Sequence, residues 1–176
     1  MFHHPEYLLR KKVFKLLGGA FHIYDASGGL AFYSRQKAFK LKEDIRIFAD
    51  ESMQSEVLLI KARNIIDFAA TYDVFDSRSG SLVGSLRRKG IKSIVVDEWH
   101  FLDTAGQQIG VLREDGVGLA LLRRLVVGAL LPQEYRGEVN GRQVCVFRRN
   151  FNPFVSKVRL NYAMDTDGIL DRRLGI

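Results

Sequence analysis

The sequence predicts a mainly β protein built from antiparallel strands. Three observations carry that expectation. Apolar and charged residues alternate with period two in several runs. Turns containing Asp and Gly recur between those runs. The chain holds 16 Gly and 3 Pro, a balance that suits many tight turns and few rigid linkers. With 176 residues, 47% hydrophobic and 27% charged, it has the make-up of an ordinary globular protein and the length to bury a core. No linker, low-complexity tract or shift of composition divides it, so residues 1–176 are expected to form a single domain.

Taken in order, the first hairpin is read at Ile23 to Gly28, where Asp25 opens a turn. Phe39, Leu41, Ile45 and Ile47 then fall on one parity and Lys40, Lys42, Asp44 and Arg46 on the other. On a strand this separates an apolar face from a charged one. Tyr72 to Arg87 reads as strand, turn, strand, and Trp99 to Arg113 repeats the pattern, each with an Asp opening the turn and a Gly closing it. Asn140-Gly141 is the strongest hairpin cue in the chain, because both residue types tolerate positive φ. Near the end Phe154, Val158, Leu160 and Tyr162 alternate with Lys157, Arg159 and Asn161. Two stretches depart from the β pattern. Gly118 to Leu131 reads as the one substantial helix, preceded by Glu114 and Asp115 and stopped by Pro132. Asp165 to Ile176 begins a helical pattern behind N-capping residues.

Lys and Arg outnumber Asp and Glu by 27 to 20, giving a formal net charge of +7. Such a charge serves solubility, but its clustering points to an anionic partner. Cys145 is the only cysteine, so an internal disulfide is excluded and a reducing compartment fits. It lies in an alternating run and reads as a small buried hydrophobe. There is no uninterrupted apolar region at the N-terminus, and no window reaches the roughly 18 consecutive apolar residues of a spanning helix. The expectation is a cytoplasmic protein, peripheral at most to a membrane.

Phe21 to Asp25, Phe32 to Arg46, Tyr72 to Asp76, Val83 to Arg88 and Phe101 to Gly110 together resemble the LURP-one-related and scramblase-like branch of the tubby-like superfamily. Asn150 to Phe154 before the last strand extends the likeness, which covers residues 7–176 by pattern rather than by an invariant motif. The resemblance implies a twelve-stranded, antiparallel β-barrel closed around a hydrophobic C-terminal helix. Leu170 to Leu174 reads as the entrance to that helix, whose apolar remainder this sequence lacks. The central helix is therefore expected to be truncated, or the lumen filled by another segment; Gly118 to Leu131 is the candidate, although its position between strands favours an outer helix. Scramblase activity, which needs that helix, is not expected.

The basic runs are Arg10 to Lys12, Arg35 to Lys42 and Arg87 to Lys92. Strand alternation sets Lys40, Lys42 and Arg46 side by side, a ladder at phosphate-gripping spacing. With Arg87, Arg88 and Lys89 they are the expected anion- or lipid-binding residues. The resemblance supports this, since tubby-like domains bind phosphoinositides through basic side chains on the barrel surface. A solvated barrel exterior is the plain alternative for any single lysine. Asp165, Asp167 and Asp171 stand where scramblases carry a calcium-linked acidic segment. They are weak calcium candidates, because an EF-hand count from Asp165 puts Ile176 where a bidentate Glu is needed. N-capping is the preferred role, and no cofactor is expected. His3, His4, His22 and His100 show no metal-ligand spacing. No P-loop, dinucleotide fingerprint, nucleophile elbow or zinc quartet is present. The expected function is non-enzymatic binding of a membrane surface or anionic phospholipid. A protein-interaction scaffold is the alternative, and nucleic-acid binding ranks last.

Overall fold

A computed structural model describes residues 1–14, 18–36, 44–64, 70–89, 98–115, 133–150 and 156–176. Twelve strands follow one another: β1 (Glu6–Phe14), β2 (Gly18–Asp25), β3 (Leu30–Gln36), β4 (Ile45–Phe48), β5 (Glu56–Asn64) and β6 (Thr71–Asp76), then β7 (Leu82–Arg88), β8 (Glu98–Leu102), β9 (Gln108–Glu114), β10 (Gln133–Val139), β11 (Arg142–Arg149) and β12 (Ser156–Asn161). Each pairs antiparallel with its neighbour in sequence, and β12 pairs with β1, so the sheet closes into a barrel. Closure leaves no edge strand open to pairing with another chain.

The hairpins expected from the sequence form where the turn chemistry asks for them. Asn140 and Gly141 carry φ of 51° and 76°, the left-handed pair that joins β10 to β11 in register with the sheet twist. Asp25, Asp76 and Asp103 each open a turn by accepting backbone N–H groups, from Ser27 and Gly29, from Arg78 and Ser79, and from Ala105 and Gln107. The expected helix Gly118 to Leu131, together with Phe39, Lys40, Leu41, Lys42 and Phe154, lies outside the described residues.

Alternation along the strands builds the core. Tyr7, Ile23, Phe32, Ile47, Leu58, Val74, Phe101 and Leu160 point inward and are buried. Cys145 is fully buried among them. One end of the barrel carries the turns after β2, β4, β6, β8 and β10, and the last 15 residues, 162–176, fold over it. There the Asp165 carboxylate accepts the Ile169 and Leu170 amides, at 2.8 and 3.0 Å. The expected C-terminal helix is only a single 3-10 turn, Arg172–Leu174, capped by Asp171. So short a stretch offers too few hydrogen bonds to offset helix nucleation. Leu170 and Leu174 instead drop into the core as a plug.

Candidate functional site

The outer face of the barrel is built by the parity opposite to the core. On β4, Arg46 points out and pairs with Glu56 at 2.5 Å, while Ile47 is buried. Arg87 is exposed on β7, opposite His100 of β8. Lys89, just beyond β7, pairs with Glu98 at 2.8 Å. Arg88 has the other parity: it pairs in register with Trp99 and shares the inward face of Leu86. Of the six basic residues expected from the sequence, then, Arg46, Arg87 and Lys89 lie on the outside and Arg88 turns inward. Lys40 and Lys42 are outside the described residues. Arg46 and Arg87 do not meet. Arg46 is level with Leu59 of β5, whereas Arg87 is level with Thr71 and Asn64, nearer the other end of the barrel.

A second set of cations is brought together only by the register. Arg113 of β9 stands opposite Arg136 of β10, Arg148 of β11 opposite Arg159 of β12, and Lys157 of β12 opposite Arg10 of β1. Like charges placed directly across a strand pair repel. Four acids relieve part of this. Glu98 meets Arg113, Asp115 meets Arg136, Glu134 bridges Arg136 and Arg148, and Glu6 meets Arg159. These six cations outnumber the four carboxylates that pair with them, and Arg148 and Arg159 remain 69% and 62% exposed. Arg10 lies 5.1 Å above the ring of Tyr24. Sequence reasoning found Arg10 in a basic run but not the rest, because their partners lie on strands far apart in the chain. The alternation of Lys157 and Arg159 with Val158 and Leu160 was the one local signal.

Two carboxylates of this face, Glu98 and Glu134, are held below the ordinary carboxylate range. Partial burial works to raise Glu98, but Lys89, His100 and Arg113 outweigh it and hold the group down to about 2. Glu134 is lowered in the same way, burial being outweighed by Arg148 and Arg136. Glu98 and Glu134 therefore serve this face as ion-pair partners, not as proton donors near neutrality.

Inside, a cavity of about 230 Å³ lies above the plug. Ile60, Val74, Leu86, Trp99, Leu112 and Phe147 form its wall, and Leu174, Gly175 and Ile176 its floor. Arg173 anchors that floor by donating to Asp76 at 2.7 Å and to Asp171 at 2.6 Å. The calcium candidates have separate partners: Asp165 the two amides, Asp167 Arg142, and Asp171 Arg173. His22 and His100 are bound to Glu51 and Glu98, as ordinary strand histidines. Among the described residues no helix is long and apolar enough to cross a membrane.

A family model described as LURP-one-related matches residues 30–165. No curated protein and no solved structure matches the chain. The family match covers most of the barrel, from β3 to the residues that follow β12, and the twelve-stranded closed sheet is the architecture its superfamily implies. The chain belongs to the LURP-one-related family, within the tubby-like superfamily.

Proposed function

We propose that this chain is a binding domain, not an enzyme, and that its outer face docks on an anionic phospholipid surface, phosphoinositide headgroups included. The carrying observation is the set of three cross-strand cation pairs, Arg113 with Arg136, Arg148 with Arg159 and Lys157 with Arg10. Their mutual repulsion is relieved by any anion that sits between them, and a phosphate-bearing surface offers such anions at close spacing. Each cation near an anionic leaflet contributes about 1 kcal/mol, weakened by salt, so the attachment is reversible. Lys40, Lys42 and the outward Arg46, and separately the outward Arg87 and Lys89, belong to the same reading as further contacts, whereas Arg88 does not.

Flotation with vesicles of phosphatidylcholine alone, or with phosphatidylserine or a phosphoinositide added, tests it. The parent chain should float with the anionic vesicles at low salt and release as salt rises. Arg148→Glu, Lys157→Glu and Arg159→Glu together should weaken flotation at least tenfold, in line with the contribution per charge. Lys40→Glu, Lys42→Glu and Arg87→Glu test these further contacts in the same assay. Failure of the parent to float, or parental flotation by both triple variants, overturns the reading in favour of a protein-interaction scaffold.

A further inference from the structure

Within the surface reading, on which this step rests, we propose that Arg10 and Lys157 form a clamp for a dianionic phosphomonoester, the headgroup phosphate of a phosphatidate-type lipid. They face each other across β1 and β12. The clamp is the part of the face that selects among anionic lipids.

The acids of the outer face are not spread evenly over its cations. Glu98, Asp115, Glu134 and Glu6 lie against Arg113, Arg136, Arg148 and Arg159. Among the described residues, no carboxylate lies within ion-pair distance of Arg10 or Lys157. His22, the partner of Arg10 on β2, has the Glu51 carboxylate at 2.8 Å, so that acid is already held.

The sheet sets both cations in place. Side chains directly opposed on antiparallel strands start about 5 Å apart at Cβ, within reach of one phosphate. The Arg10 guanidinium lies 5.1 Å from the centre of the Tyr24 ring. That contact uses the charge and takes up no acceptor, so the N–H fork is left for an anion. Lys157 is fixed at its backbone. Its amide donates to the Asn150 side chain at 2.8 Å, and its carbonyl accepts the Asn150 amide at 3.0 Å.

Two opposed cations without a counter-ion select for charge. A phosphodiester carries one negative charge and leaves one cation unmatched. A phosphomonoester has a second ionisation near pH ~6 and three acceptor oxygens. Two cations within a few ångströms favour its dianion, and one phosphate then answers both. The arginines beside the pair hold the domain to a charged plane. A soluble phosphate gains nothing from them, which favours a lipid.

Vesicles of phosphatidylcholine with either phosphatidate, a monoester, or phosphatidylglycerol, a diester, test the clamp at about pH 7. The two are matched in zeta potential, so that diffuse attraction is equal. The parent should bind phosphatidate about fivefold more tightly, the worth of one further charge. Arg10→Gln with Lys157→Gln should weaken both and bring the ratio to one. Lys157→Gln alone should already do so, since a single cation matches either lipid. Arg148→Gln with Arg159→Gln should weaken both and keep the ratio. Three results overturn the clamp: equal binding of the two lipids by the parent, a ratio unchanged in the Arg10 and Lys157 variants, or full competition by glycerol 3-phosphate at the same phosphate concentration. The last assigns the pair to a soluble phosphate. The first two leave the surface reading standing, whereas a parent that binds neither vesicle overturns both.

Discussion

Cys145 shows how completely one side chain can be committed to packing. Its sulfur lies so close to Gly137 that a Cβ on the glycine would collide with it. Burial, the largest effect, pushes the thiol up to about 12. A thiol so placed is almost never the reactive thiolate. Ellman's reagent at about pH 8 should therefore leave the native protein unmodified and titrate one thiol only after denaturant is added. Fast reaction of the native protein would mean that the core opens near β11. Glu98 gives the opposite case, an ionised group engaged by three neighbours. Its carboxyl falls from 4.5 in the reference state to about 2 in the folded protein. A depressed acid stabilises the fold fully above the upper value, and the benefit is lost as the pH falls towards the lower one. Acid should therefore weaken the parent between about pH 4.5 and 2, by at most about 3 kcal/mol from this group. Glu98→Gln should be weaker than the parent at neutral pH and lose less on acidification. Urea midpoints at two pH values check both signs.

At the scale of an element, the last 15 residues are held as a plug by a few specific contacts. Arg173 reaches across to Asp76 of β6 and back to Asp171, and Arg172 donates to the His4 carbonyl at 2.8 Å. Arg173 and Asp76 are 29% and 21% exposed, so the pair is partly screened. Removing one partner leaves the other charge half-buried, and Arg173→Met should cost about 2 kcal/mol in a denaturant titration. Gly175 gives an independent handle, because a Cβ there would strike the buried Tyr162 hydroxyl. Gly175→Ala should lift the floor and shift Trp99 emission even where overall stability holds. The sequence made some of this legible and some not. The Asp-to-Gly turns and the Asn140-Gly141 hairpin depend on two or three adjacent residues, so local reading finds them. Asp171 as a cap was legible for the same reason. The inward turn of Arg88 shows in the sequence only through the parity it shares with Leu86, which the run of charge from Arg87 to Lys89 masks. The cation pairs on β9 to β12 depend on register between segments as distant as Arg10 and Lys157, and one sequence does not specify that register.

For the molecule as a whole, the barrel's size sets a problem that its strands cannot solve alone. Among the described residues, 162–176 fill the end of the twelve-stranded barrel where the turns gather. A cavity of about 230 Å³ whose described lining is mostly carbon lies beside Ile176. Unfilled apolar volume lowers stability by ~24 cal/mol per Å³, which bounds the cost at ~5 kcal/mol for this cavity. An apolar helical extension joined to Ile176 would enter the space from its floor. It should raise the melting temperature by ~10 °C or more, since a kilocalorie is worth roughly 2–4 °C in a chain of this length. An unchanged melting temperature would mean that the lumen is already filled, and the cavity's cost would then be withdrawn.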